Sequence, residues 1–468
     1  MPDRRREEGL KNVELLQTVA ITVLTLGILV AVHEYGHFFV ARRAGVRVLR
    51  FSIGFGRALW RRTGHDGTEY VLAAIPLGGY VKMLDEREGT VAATELHRSF
   101  NRKPVGARFA IVAAGPLANF LLAIVAFYAL YVSGVPGLAP VIGGVTPGSI
   151  ADAAGLERGQ EIVAVDGEPT PTRQAVVMRL LKRLGESGEI RFSVRYGQEQ
   201  SALVYESTAR VSDWLAGKDD PDLLAGLGLA FWTPELAPRV GNVLADSPAA
   251  RAGMRAGDLL VAVNGEPVGS WDAWVTTVRA SAGRELAVEL ERGGERVHVQ
   301  VTPATVTGPD GATMGQVGVS VAEQPWPAEM LRTERYGVLA AWRPALAQTW
   351  SLTAFTVDSV KKMFEGMISP KNLSGPITIA KVAADSARSG LESYIAFLAL
   401  LSISLGVLNL FPIPVLDGGH LVYCLIEMVK GSPVSERVQM LGYQAGLVIL
   451  VGVMLLALYN DLNRLAAN

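Results

Sequence analysis

A run with no charge from Leu15 to Val30, "LLQTVAITVLTLGILV", continues directly into "AVHEYGHFFVA", Ala31 to Ala41. That juxtaposition constrains the chain more than any other feature. A bilayer core takes about 20 mostly apolar residues in a helix. An ionisable side chain inside such a helix is costly unless it is paired or used. His33, Glu34 and His37 are therefore candidate functional residues from position alone.

Three further stretches have the length and apolarity of a span: Phe109 to Val132, Tyr394 to Phe411 and Leu441 to Tyr459. A mean hydropathy of +0.27 accompanies 19% charged residues, which fits apolar spans alternating with water-facing modules. The expected class is a polytopic α-helical membrane protein with about four transmembrane helices. The stretch Val338 to Phe355 carries Arg343 and Gln348 and reads as amphipathic and surface-lying. Residues 376–393 have a mixed pattern and read as interfacial. Arg4 to Arg6 resemble the basic start of a signal peptide. The apolar part that follows exceeds the usual ~7–15 residues, and no small-x-small cleavage pattern appears, so the segment reads as a span.

The loop from Arg42 to Pro104 holds about a dozen Lys and Arg, which assigns it to the cytoplasm. The segment from about Ser133 to Ser393 then lies on the opposite side, and with four spans both termini lie outside the cytoplasm. A net charge of −1 gives no sign of a nucleic-acid partner. The single cysteine, Cys424, excludes an intrachain disulfide and a cysteine-based metal cluster.

The large outer segment contains a repeat. "SIADAAGLERGQEIVAVDGEPT" from Ser149 matches "SPAARAGMRAGDLLVAVNGEPV" from Ser247, an offset of 98 residues. In each copy a short strand leads into an Asp-Gly or Asn-Gly turn. The pattern resembles PDZ domains of the bacterial protease type. Such domains bind an extended peptide at a sheet edge. The alternative reading, spacers or size filters with no peptide bound, stands beside it.

His33-Glu34-Tyr35-Gly36-His37 is H-E-x-x-H. On a helix, positions i and i+4 share a face, so both imidazoles reach one metal, with Glu34 beside them to take a proton from water. As a bare pattern it is weak, and the bland reading is a polar patch at a helix end. Its continuation of an apolar span weighs against that. A catalytic zinc takes three protein ligands and keeps an open position. The third span runs into "LNLFPIPVLDGGH", Leu408 to His420, where Pro412, Pro414, Gly418 and Gly419 are expected to prevent regular helix. Asp417 in that segment is the candidate third ligand, with His420 competing. His65 and His97 read as surface residues of the basic loop, and His298 lies in the second PDZ-like module.

"HEYGH", "GPLANF" at Gly115–Phe120 and "NLFPIPVLDGGH", in this order with two PDZ-like modules between, resemble the site-2 protease family of intramembrane zinc metalloproteases. The resemblance covers nearly the whole chain. It implies one zinc held by His33, His37 and Asp417, Glu34 as the catalytic residue, and Asn409 as a residue that holds substrate. The role of Asn119 of "GPLANF" stays open, with a polar packing residue in the second helix as the bland reading. The strand-like "VRVLRFSIGFG" and "EYVLAAIPLGGYVKM" would form the family's membrane-associated β-hairpin, with Gly78, Gly79 and Tyr80 on an edge that pairs with extended substrate; a plain cytoplasmic hairpin is the alternative.

The expected division is a first helix over 1–44, the hairpin loop over 45–104, a second helix over 105–133 and two extracytoplasmic PDZ-like α+β domains over 138–234 and 235–322. Amphipathic linker helices follow over 323–393, then the third helix with its broken segment over 394–440 and the fourth over 441–460. The implied activity is hydrolysis of peptide bonds within transmembrane segments. The implied substrates are a single-pass membrane protein such as an anti-sigma factor, or remnant signal peptides. The other partners are peptide or protein ligands of the PDZ domains and membrane lipid, with no nucleic acid. The implied location is a bacterial inner membrane, with periplasmic PDZ domains and an active site toward the cytoplasm. The rival classes are a non-catalytic PDZ membrane scaffold and a metal transporter using the same ligands. A serine protease is disfavoured because no nucleophile elbow appears.

Overall fold

Among the described residues, four helices of the computed structural model are long and apolar enough to cross a membrane: Val13–Arg43, Val105–Ser133, Leu391–Leu410 and Glu436–Ala466. They are called spans one to four below. The structure describes residues 2–87, 89–196, 203–219, 221–307 and 312–467.

Spans one, two and three pack together through small residues, which let apolar helices approach closely where no water-driven force favours association. A Cβ on Gly36 would lie 2.2 Å from the Ala114 carbonyl oxygen, and one on Gly406 would lie 3.3 Å from the Pro116 carbonyl oxygen. Gly36 belongs to H-E-Y-G-H, so the motif itself makes the close crossing. Span two continues through Pro116, one residue after Gly115. Span four differs. Its residues from Val448 to Leu456 are largely exposed, and it meets other parts of the chain near its two ends.

Between spans one and two, β1 (Val48–Thr63) and β2 (Glu69–Met83) each bend and pair twice. Arg50 faces both Lys82 and Glu69, and Ile53 faces both Gly79 and Leu72, while Trp60 faces Leu72. The two strands thus make a sheet of four segments in the order 79–83, 48–53, 69–73, 58–63. Gly54 and Gly56, with φ of 92° and 84°, form the bend in β1, a conformation that a side chain would resist.

Past span two the chain leaves through strand Val135–Leu138, which pairs with the returning strand Leu331–Glu334 to form a neck. Two modules hang from it, and they repeat in detail. Ser149 and Ser247 each cap a short helix, accepting from the amides of Asp152 and Ala250. Asp166 and Asn264 adopt left-handed backbone with φ of 53° and 51°, as an Asp-Gly or Asn-Gly turn between strands requires. Thr172 and Ser270 cap the longer helices Arg173–Lys182 and Trp271–Arg279. Each module closes on itself: Leu229–Phe231 pairs with Ile142–Val145, and Val319–Val321 pairs with Val240–Val243. Each has its own core, around Ile162, Leu180, Ile190 and Phe192 in the first and Leu260, Trp274 and Leu290 in the second.

After the neck comes helix Trp342–Phe364, with Leu346, Trp350 and Phe364 exposed, and then helix Pro376–Arg388 leading into span three. The ring of Trp342 stacks on Tyr128 of span two, with centroids 4.1 Å apart. Past span three the chain is irregular only from Phe411 to Leu416, and helix Asp417–Lys430 then begins. The expectation that Gly418 and Gly419 break regular helix is therefore corrected. They occupy its first turn, where a Cβ would lie 2.1 Å from the Phe411 carbonyl oxygen and 2.4 Å from Pro414 Cα. Their smallness lets the new helix fold back onto the segment before it.

Candidate metal centre

His33 and His37, one turn apart on span one, meet Asp417 from the first turn of helix Asp417–Lys430. Nε2 of His33 lies 3.2 Å from Asp417 Oδ2, Nε2 of His37 lies 3.4 Å from the same oxygen, and the two Nε2 atoms are 3.3 Å apart. A tetrahedral ion with bonds of about 2.0–2.1 Å separates its ligand atoms by roughly 3.3 Å, so this triangle has the size of one face of a zinc site. Among the described residues it is the one His, Cys, Asp and Glu group with metal-ligating geometry.

The chemistry of the donor set agrees with that size. Asp417 Oδ2 is buried and receives no hydrogen bond, a deficit that a cation repairs. Nδ1 of His37 donates to the Ile111 carbonyl at 2.8 Å, which leaves Nε2 with a free lone pair. Nδ1 of His33 faces the amide of Asn119 at 3.1 Å. Asn119 is fully buried, its Oδ1 lacks a partner, and its backbone carbonyl accepts from Ser402 at 2.8 Å. An asparagine amide has the same shape either way up. With its oxygen toward His33, Nδ1–H becomes the donor, the orphaned oxygen is satisfied, and His33 Nε2 also presents a lone pair. Gly115 of span two roofs the cluster, since a Cβ there would lie 2.2 Å from His37 Nε2.

Glu34 is buried on the same helix, 8% exposed. It lies against the sheet edge: a Cβ on Gly79 would fall 2.8 Å from Glu34 Cγ and 2.8 Å from Val30 Cγ1. Gly78, Gly79 and Tyr80 belong to or adjoin the outermost segment, 79–83, with Phe55 and Tyr80 stacked nearly parallel beside it. Asn409 is half-buried in the last turn of span three, just before the irregular segment. His420 lies in the helix after Asp417 but outside the metal-sized cluster, with its ring edge-on to Tyr423. His65 follows β1 in a turn, His97 sits in the short helix Leu96–Arg98, and His298 lies in strand Glu295–Val301 of the second module.

Sequence reasoning named the three clustered side chains and Glu34 but left the role of Asn119 open. The available signal was an amide in an otherwise apolar span, four residues after a glycine that the cluster needs.

The model of peptidase family M50 matches residues 21–453. The chain is 46% identical over 451 residues to "Regulator of sigma E protease" of Salmonella typhi, covering 96% of this chain and 99% of that one. It is 45% identical over 450 residues to "Regulator of sigma-E protease RseP" of Escherichia coli, again covering 96% and 99%. A "Putative zinc metalloprotease" of Vibrio cholerae is 41% identical over 453 residues, covering 97% and 100%. Among solved structures, the PDZ domain of an SdrC-like protein from Listeria monocytogenes covers 20% of this chain and 93% of its own at 20% identity, with a TM-score of 0.16, and by itself says nothing of the fold. A family match running from span one into span four, a ligand triangle of zinc dimensions and relatives aligned end to end together mean that this chain belongs to peptidase family M50, as a membrane zinc metalloprotease.

Proposed function

We propose that this protein cuts transmembrane segments of other proteins, with His33, His37 and Asp417 as the zinc ligands and Glu34 as the group that moves the proton. The observation that carries the reading is the cluster's position. His33, Glu34 and His37 are buried on an apolar span, where imidazoles and a carboxylate are expensive unless they do chemistry, and half-buried Asp417 joins them.

A transmembrane helix resists hydrolysis because its peptide bonds are hydrogen-bonded and shielded from water. Bound zinc supplies Lewis acidity, which makes water a stronger nucleophile and a carbonyl more electrophilic. Glu34 takes the proton released by the attacking water and returns it to the departing nitrogen. The unwound backbone needs new partners, and the outer edge of segment 79–83 offers them next to Glu34. Asn409, beside the irregular segment, is a second group that holds the unwound segment.

The basic loop supports an arrangement in which Arg42 and Arg43 mark the cytoplasmic end of span one, so the metal lies toward the cytoplasmic side of a bacterial inner membrane and the modules are periplasmic. The names of the Salmonella typhi and Escherichia coli relatives support a membrane-anchored anti-sigma factor as substrate. Remnant signal peptides are a second substrate of the same kind. The modules either bind peptides at their sheet edges or exclude substrates with bulky outer domains.

Metal content tests the ligand set. Wild type should purify with one zinc per chain, His33→Ala, His37→Ala and Asp417→Ala should lose it, and Asn409→Ala should keep it. Full zinc in Asp417→Ala would overturn the assignment.

A further inference from the structure

One face of span two meets both halves of the metal centre. Arg108, Ile111, Gly115 and Asn119 follow one another at helical spacing, so they lie in a single stripe. Three of them serve the histidines of span one: the Ile111 carbonyl accepts from His37, Gly115 leaves room for the His37 ring, and the Asn119 amide faces His33. The fourth, Arg108, turns to the other half. Its Nη2 donates to Oε1 of Glu427, which lies on helix Asp417–Lys430.

That helix needs an anchor. It has 14 residues, about 21 Å at 1.5 Å per residue, and so falls short of the ~30 Å of a bilayer core. The segment before it, residues 411–416, is irregular. Leu425, Ile426, Met428 and Val429 on its outer side are exposed. The helix packs against span two, and its buried Leu421 and Cys424 lie in line between Asp417 and Glu427. At the metal end, Asp417 Oδ2 has no protein donor to fix it. The polar tie comes from the far end of the stripe.

Arg108 is suited to that task. An arginine about one turn into an apolar span is expensive unless it is paired or used. The Arg108 side chain is 15% exposed and that of Glu427 19%. Nε of Arg108 also donates to the Lys103 carbonyl at 3.1 Å. A planar guanidinium held at two nitrogens points in one direction, as the single ammonium of a lysine would not. The contacts run antiparallel. Gly115 and Asp417 both meet His37, and about two turns back along span two Arg108 meets Glu427. A helix fixed at two such levels can neither slide nor roll on its neighbour.

We propose that Arg108 and Glu427 are positioning residues for the metal centre. The pair fixes the height and rotation of helix Asp417–Lys430 on span two and thereby sets the Asp417 carboxylate opposite His33 and His37. This rests on Asp417 as a zinc ligand and extends that reading to the residues that place it.

The test reads the metal and not cleavage. The full chain is purified in detergent, stripped and reloaded with Co2+, whose visible bands follow ligand geometry, and zinc affinity is measured by chelator competition. Arg108→Gln and Glu427→Gln should each shift the cobalt bands and weaken zinc by about tenfold, the lower end of the range for loss of an outer hydrogen bond. The double variant Arg108→Gln/Glu427→Gln should lose no more than the worse single one, because both act through one bond. Arg108→Lys keeps a charge opposite Glu427 and loses the tether to Lys103, so it should fall between the parent and Arg108→Gln in both readouts. Circular dichroism is read beside each variant, and where a glutamine variant does not fold, Arg108→Lys against the parent decides. Parent-like bands and affinity in the folded variants, even with a lowered melting temperature, would overturn the proposal, and so would single losses that add in the double variant. Asp417→Ala separates the two readings. If it keeps zinc, the ligand assignment fails; if it loses zinc while the pair variants match the parent, the positioning alone fails.

Discussion

Two carboxylates, Asp258 in the second module and Asp417 at the metal centre, are provided for in opposite ways. Asp258 is 1% exposed and fully served: Arg292 donates to both its oxygens at 2.7 Å, and the Arg255 amide adds a third bond at 2.8 Å. Asp417 is less buried, yet its Oδ2 has no donor and faces two imidazole nitrogens that present lone pairs. Burial alone does not separate structural from functional acids. The difference is whether the protein completes the hydrogen-bonding itself or leaves a gap that only a cation fills.

The contrast breaks most visibly at Glu34, the proposed proton carrier. Glu34→Gln should leave zinc in place and lower cleavage by on the order of 10²–10⁴-fold, the range for loss of a positioned acid–base group, as read from initial rates on a transmembrane substrate. Asp417→Ala should empty the site. Its affinity loss should exceed the roughly 10–100-fold that follows removal of an outer hydrogen bond, while the fold of the zinc-free chain is undisturbed because no protein donor is lost. Equilibrium competition with a chromogenic chelator, beside a thermal scan, reads both.

Asn119→Leu should sharpen the comparison at the next level. It removes the group that fixes the proton of His33 on Nδ1, and zinc affinity should fall by roughly 10–100-fold, with Asn119→Asp recovering part of the loss because its oxygen still accepts. Equal affinity in wild type and Asn119→Leu would make Asn119 a packing residue after all.

Asp258→Ala should do the reverse of Asp417→Ala. It should cost the second module about 1–3 kcal/mol, the cost of leaving a buried partner unsatisfied, moderated because Arg292 reaches water. It should leave zinc and cleavage of a bare transmembrane substrate unchanged. A smaller effect concerns pH. Burial by itself would raise the Asp258 carboxyl, but the Arg292 guanidinium and the Arg255 amide outweigh it and hold the group below the ordinary aspartate value. A lowered folded value means the stabilisation is present above the unfolded value, about 3.9, and is lost as pH falls through the folded one. The first module has Gln160 at the equivalent place, bonded to the Tyr196 hydroxyl and the Glu157 amide, so no charged carboxylate occupies position 160. Hydrogen exchange in the full chain, corrected for intrinsic rates, should therefore show that Asp258→Asn costs the second module less at pH 3 than at pH 6, with the first module indifferent.

What the sequence could say follows the same division between local and distant. The modules were legible because each is a local unit repeated at 98 residues, and the expected turn chemistry of Asp166-Gly167 and Asn264-Gly265 is present. The spans were legible because the bilayer demands length and apolarity. Two candidate ligands one turn apart, His33 and His37, were legible for the same local reason. Asp417 needed an argument about membrane depth and ligand number, since nothing in its neighbourhood names its partners 380 residues away. The role of Asn119 stayed open because an amide packed in a helix and an amide facing an imidazole look alike until the facing residue is known. The pairing of Arg108 with Glu427 was not legible at all: an arginine near the start of a span and an acid 319 residues further on acquire meaning only when span two and the helix of Asp417 are brought together. Gly418 and Gly419 were read as helix breakers, but they let one helix fold against the segment before it.

The measurement that tests the central claim most directly is the site of cleavage. A single-span substrate incubated with the purified zinc protein in detergent, its products sequenced by mass spectrometry, should be cut at a bond within its apolar segment, and Glu34→Gln carrying the same zinc should yield no such product. Cleavage confined to residues outside the span, or the same product from Glu34→Gln at the wild-type rate, would contradict the account.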